Sequence, residues 1–182
     1  VVAANGQFAE PVSTKPNPLC GGIEKKAPDP TENALSVGVK ITYGKFRIVD
    51  MGDLTWNKEL EAVCPADRIG PADVYITTHH GLDSSNALPI VQTVAARVTI
   101  MNNGARKGGS PGAFGPLTAV PESDLWQLHY SIAGAEKNNA PETFIANLQE
   151  ACEGKHLHLS ATSDGTFTVT NPRNKYTKTY KP

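Results

Sequence analysis

Between Ile48 and Gly81 two apolar segments each close on a group able to bind a metal ion, and this pairing restricts the fold more than any other feature. The first ends in Gly52-Asp53 and the second, Asp73-Val-Tyr-Ile-Thr-Thr, ends in His79-His80-Gly81. Neighbouring strands of this kind bring a carboxylate and an imidazole to one rim of a sheet, where α/β folds gather their chemistry. The spacing from Asp73 to Met101 reads strand, helix, strand, which predicts a right-handed parallel crossover. The expectation is an α/β (α+β) chain with a mixed sheet and helices on one face.

The remaining elements follow from local pattern. Leu35, Val37, Val39, Ile41 and Tyr43 alternate with smaller or polar residues, the period of a half-buried strand. Gly44-Lys45 suits a two-residue type II′ turn, so Phe46 to Met51 is the returning partner. Trp56, Leu60 and Val63 share one helical face within Thr55–Val63. A second helix is expected after Gly81, capped by Ser84 or Ser85, with Leu88, Val91 and Val94 inward and Pro89 in its first turn. Arg97 to Asn102 and Leu125 to Tyr130 read as strands, Gly104 to Pro116 as a glycine-rich loop, and Glu142 to Cys152 as a helix burying Phe144, Ile145 and Leu148. Residues 155–180 read as a β-meander turning at Asp164-Gly165. All 182 residues fit one domain, with 1–33 mostly loop, 34–112 a motif-rich core, and 113–182 a helix and terminal meander.

Composition excludes several functions. A net charge of −1 provides no basic field for nucleic acid or anionic lipid. No stretch approaches the roughly 20 apolar residues of a membrane span. Val1-Val-Ala-Ala-Asn lacks the pattern of a signal peptide. Cys20, Cys64 and Cys152 form no C-x-x-C motif, which argues against a cysteine-based zinc site and leaves one disulfide open in an oxidising compartment. The modest charge, 14 prolines and 16 glycines lean toward an extracytoplasmic setting.

The candidate residues each carry two readings. Asp53 is either a metal-bridging carboxylate or the N-cap of the following helix. Adjacent residues on an extended strand face opposite ways, so one of His79 and His80 points into a site while the other supports it or packs nearby. Asp83, Ser84 and Ser85 read as the entry turn of the next helix. The run Asn102-Asn103-Gly104-Ala105-Arg106 opens a loop with amides, cations and free N–H groups, suited to an anion or to solvent. His129 reads as a packed strand residue, and His156 and His158 as solvent-facing strand histidines. Asp50 lies on the Phe46 side of its strand and needs a partner if buried.

Taken in order, Asn33-Ala34-Leu35-Ser36-Val37, Tyr43-Gly44-Lys45-Phe46, Met51-Gly52-Asp53-Leu54, Ala72-Asp73-Val74, Thr78-His79-His80-Gly81 and Asn103-Gly104-Ala105-Arg106 resemble the second half of a metallo-β-lactamase-fold hydrolase. The branch they most resemble includes the hydrolase domain of ComEC-type DNA-uptake proteins. The resemblance spans residues 33 to about 112 and, more weakly, Lys155 to Thr170. It implies half of an αββα sandwich, a divalent metal (zinc or manganese), and hydrolysis by metal-activated water. It also implies that Asp53 is a metal ligand, that His79 or His80 is a ligand or the proton donor to the leaving group, and that Asn102, Asn103 and Arg106 bind substrate. The family's H-x-H-x-D-H motif is absent, and Gly109-Ser110-Pro111 stands where that branch has G-H-P. The resemblance therefore implies a partner, either the amino-terminal half of the same fold or a second chain supplying it. The expected substrate is a small ester or amide, or a nucleotide or nucleic-acid phosphodiester, and the isolated chain is expected to hydrolyse little. The competing expectation is a metal-free binding or assembly module.

Overall fold

A computed structural model describes every residue from Val1 to Pro182. Strands β1 (Ala3–Ala4) and β2 (Gln7–Phe8) form a small hairpin, and residues up to 38 otherwise run as loop with short 3-10 turns, one of them at Glu32–Leu35. The chain then builds β3 (Val39–Tyr43), β4 (Phe46–Asp50), α1 (Trp56–Val63), β5 (Val74–Ile76), α2 (Leu88–Val94), β6 (Val98–Met101), α3 (Pro111–Leu117), β7 (Asp124–His129) and β8 (Ile145–Asn147). Strands β9 (His158–Ala161), β10 (Phe167–Asn171) and β11 (Tyr176–Tyr180) finish it.

The main sheet has six strands in the order β3-β4-β5-β6-β7-β8. β3 and β4 are antiparallel, Tyr43 pairs with Phe46, and Gly44 at φ +59° supplies the left-handed residue that a two-residue connection requires. From β4 onward the pairing is parallel. The carboxyl ends of β4 to β8 thus share one rim, because each crossover returns the chain to the opposite end.

Alternation along the strands sorts two cores. Val49, Met51, Tyr75, Met101, Leu125 and Ile145 face the helices, where Leu60, Val63, Val91, Val94 and Leu117 close over them. Phe46, Val74, Val98, Ile100 and Trp126 face the other way, onto Phe167, Val169 and Tyr180 of the three-stranded antiparallel sheet β9-β10-β11. Aromatic contacts bind this second layer: Phe167 stacks on Tyr180 with centroids 4.8 Å apart, and the Trp126 indole donates to the Tyr180 hydroxyl at 3.0 Å.

Three expectations are corrected. Glu142 to Cys152 is not a helix: Ile145–Asn147 forms β8, the last strand of the main sheet, and only Glu142–Phe144 makes a helical turn. Gly104 to Pro116 is not all loop, since α3 begins at Pro111 and buries Ala113 and Leu117. Strand β3 is not half-buried. Ile41 and Tyr43 share the face of Ile48 and Phe46, but the three-stranded sheet stops short of them and both remain more than half exposed.

Candidate functional site

Two turns at the common rim are tied together by one backbone bond. After β4 the chain reverses at Gly52 (φ +60°), whose N–H donates to Asp50 Oδ1 at 2.9 Å, the partner Asp50 required. After β5 it reverses again through His79, His80 and Gly81, three successive residues at φ +50°, +57° and +75°. The His79 N–H donates to the Gly52 carbonyl at 3.0 Å, which locks one reversal to the other. Left-handed geometry at two non-glycine residues is strained and persists only where the surroundings enforce it.

That turn changes the logic of the histidine pair. The two residues are not on an extended strand, so strand alternation does not decide which ring faces the site. The hydrogen bonds do. His80 Nδ1–H donates to the Asn102 carbonyl at 3.1 Å. A carbonyl only accepts, so the neutral ring carries its proton on Nδ1 and its lone pair on Nε2. Nε2 lies 3.5 Å from Asp53 Oδ1. His79 is engaged elsewhere: the Asn33 amide donates to its Nε2 at 3.4 Å, and its Nδ1 faces the hydroxyls of Ser84 and Ser85 at 3.4 and 3.5 Å. The ring centroids of the two histidines are 6.2 Å apart.

Asp53 does not cap α1. The N-cap position is Thr55, without a side-chain capping bond, and the Asp53 carboxylate instead lies beside His80. Its backbone is fixed by Ser36, whose hydroxyl accepts the Asp53 N–H at 3.2 Å. The Asn33-x-x-Ser36 spacing thus acquires a physical meaning. The 3-10 turn between these residues sets the Asn33 amide on His79 and the Ser36 hydroxyl under Asp53.

The loop after β6 distributes its residues differently from the expectation. Asn102 borders the pair: its main-chain oxygen orients His80 and its side-chain oxygen accepts the Thr77 hydroxyl at 3.0 Å. Asn103 is buried, and its amide bridges the His129 carbonyl at 2.7 Å and the Gly104 carbonyl at 3.1 Å, while its oxygen accepts the His129 N–H. It joins β6 to β7 and offers no free polar atom to a substrate. Arg106 turns to solvent, where Glu150 pairs with it. Three of the loop N–H groups are used within the fold: Gly104 donates to the Lys107 carbonyl, Gly109 to the His80 carbonyl at 3.0 Å, and Ser110 to the Gly81 carbonyl at 2.9 Å. The loop braces the histidine turn from outside. His129 is buried, and His156 and His158 are exposed.

Beneath the turn sits a residue that pattern reading passed over. Glu59, in the middle of α1, is fully buried and accepts the backbone N–H groups of Asn86 at 2.8 Å and Ala87 at 2.9 Å. Burial pushes its carboxyl up to about 7. The only sequence signal was a charged residue among the apolar positions of an amphipathic helix.

The donor set fits a borderline divalent metal as far as it goes, with one carboxylate oxygen and one imidazole nitrogen whose lone pair is bare. It goes no further, because no group of three or more His, Cys, Asp or Glu side chains is placed to hold an ion. A cavity of about 630 Å³ between Tyr130 and Leu148 includes none of these residues. No helix is long and apolar enough to cross a membrane. Comparison with protein-family models, curated proteins and solved structures gave no significant match to this chain.

Proposed function

We propose that the chain is the carboxyl-terminal half of a metal-dependent hydrolase of the metallo-β-lactamase type, and that Asp53 and His80 are its contribution to the metal site. One observation carries the reading. A carboxylate oxygen and an imidazole nitrogen lie 3.5 Å apart, a spacing that a cation between them stabilises, whether a metal ion or a proton on Nε2. Zinc or manganese answers that need with the donor types present. When bound, such a metal supplies Lewis-acid activation of water.

The chain's own residues have assigned tasks. The Asn102 carbonyl holds the His80 ring by its Nδ1–H, the outer hydrogen bond that fixes a ligating imidazole. Ser36 and Gly52 hold the Asp53 backbone in place. His79, set back from Asp53 and supported by Asn33 and Ser84, orients the turn rather than binding the ion. Further ligands come from the amino-terminal half of the fold, in the same polypeptide or a second chain. The part of the main sheet that β9–β11 leave uncovered, with Ile41 and Tyr43 exposed, supports that completion. A phosphodiester is the substrate class favoured by the resemblance, and the Cys20–Cys64 disulfide supports an oxidising compartment.

Equilibrium dialysis against zinc tests the reading. One site is expected, lost in Asp53→Ala and in His80→Ala and retained in His79→Ala. Retention in Asp53→Ala refutes it, and a folded wild-type chain that takes up no zinc favours the metal-free assembly module, for which the uncovered face is the supporting observation. With zinc but no second half, the chain is expected to hydrolyse bis(p-nitrophenyl) phosphate no faster than free zinc does.

A further inference from the structure

Glu59 carries more of the site than its distance from the rim suggests. Its carboxylate has no lysine or arginine within hydrogen-bonding reach and is held by groups that bracket the histidine turn. Asn86 and Ala87 donate their N–H groups from the carboxyl side of the turn, and the Thr78 hydroxyl, bonded in turn to the Tyr75 hydroxyl, adds a contact from the amino side. Asn86, itself left-handed at φ +60°, relays the hold. Its side-chain amide donates to the Thr78 carbonyl and the Leu82 carbonyl, both at 3.0 Å, and so spans the segment that contains His79, His80 and Gly81.

We propose that Glu59 is a positioning residue whose charge state sets how firmly the Thr78–Ala87 turn, and with it His80, is held against Asp53. Ionised, both carboxylate oxygens accept backbone N–H groups as charged acceptors, the stronger kind of bond. Protonated, the group loses its charge and one oxygen becomes a hydroxyl, so one of the two N–H donors faces a weaker acceptor. The titratable groups that face it are Tyr75 from β5, which burial keeps neutral, and Lys26 from the amino-terminal loop, whose ammonium lies over the Trp56 ring. Because burial brings the carboxyl to about 7, the change of state falls at neutral pH. Those hydrogen bonds lower the carboxyl's value while burial raises it, so an opening that breaks the bonds but leaves Glu59 buried is suppressed above that point, whereas unfolding that solvates the carboxyl has the opposite sign.

This role rests on Asp53 and His80 being the site, yet its test needs neither metal nor substrate, so either claim can fail alone. The measurement is a ¹H–¹⁵N NMR titration of the chain and of Glu59→Gln from pH 5 to 9. In the wild type, the Asn86 and Ala87 amide resonances are expected to move together with a midpoint near 7. Protection of the His79 and Leu82 amides, corrected for intrinsic exchange, is expected to rise about five- to tenfold across that midpoint. In Glu59→Gln the transition at Asn86 and Ala87 disappears while the core resonances stay dispersed. A transition that persists in Glu59→Gln belongs to the imidazoles and overturns the proposal, as does flat protection across the wild-type midpoint. If Glu59→Gln fails to fold, the wild-type side-chain carboxyl ¹³C resonance of Glu59 decides, since a midpoint below about 5, near the ordinary glutamate range, overturns the proposal equally.

Discussion

At the scale of single residues, the site is a set of strained conformations held by their neighbours. Gly108 (φ +79°) lies so close to the histidine turn that a Cβ there would overlap the His80 carbonyl oxygen. Gly108→Ala combines that clash with a left-handed backbone and is expected to destabilise the protein by about 2–4 kcal/mol, read from chemical denaturation. Glu59 gives a second expectation, with a definite sign. Its folded value, about 7, is raised above the ordinary 4.5 by burial, so the native state binds the proton more tightly than the unfolded chain. Its contribution is fully favourable below about 4.5 and is lost as pH rises to about 7, a fall on the order of 3 kcal/mol. Glu59→Gln should flatten that slope in denaturation midpoints measured from pH 4.5 to 8. Sequence made Asp53 and the histidine pair visible as candidates, because carboxylate and imidazole chemistry at strand ends is written in residue type. It did not separate His80 from His79, since that choice depends on a turn with three positive φ angles and on where the Asn102 carbonyl ends up. The partners of Asn103 and Arg106 were hidden for the same reason: nothing local in the sequence pairs the amide with the His129 backbone or the guanidinium with Glu150.

At the scale of elements, the amino-terminal loop is less independent than its prolines suggest. Cys20 bonds to Cys64, just past the last residue of α1, and the Asn17 amide donates to the Val63 carbonyl at 3.0 Å and the Thr93 hydroxyl at 2.8 Å. The bridge joins residues 44 apart, a closure that restricts the unfolded chain by about 3–4 kcal/mol. Cys20→Ser with Cys64→Ser is expected to lower unfolding free energy by roughly that amount in urea titrations. The strands of the main sheet were legible because alternation and buried runs are local signals. The failures were tertiary. Phe144, Ile145 and Leu148 have helical spacing, but the free edge of β7 recruits Ile145–Asn147 as β8 and Trp126 packs on Phe144 with centroids 4.6 Å apart. In α3 two prolines and two glycines read as loop, yet Ala113 and Leu117 gain burial against the helix-side core, enough to outweigh poor local propensity.

At the scale of the whole molecule, three layers are stacked but one is incomplete. Helices cover one face of the main sheet, and β9–β11 cover most of the other. Ile41 and Tyr43 continue that second face into solvent along the edge strand β3. An apolar face beside an open edge favours association. The chain is therefore expected to self-associate with rising concentration in sedimentation velocity, and Ile41→Lys with Tyr43→Lys should suppress this while changing stability by no more than about 0.5 kcal/mol. In register, Ile41 and Tyr43 lie beside Ile48 and Phe46, toward the start of β4, whereas Asp53 follows its carboxyl end. The most direct test is a zinc titration followed by long-range ¹H–¹⁵N NMR of the imidazole rings. Free His80 is expected to carry its proton on Nδ1, and its Nε2 resonance to shift on zinc addition in the wild type but not in Asp53→Ala. A His80 ring untouched by zinc, with changes confined to His79 or to the exposed His156 and His158, would contradict it.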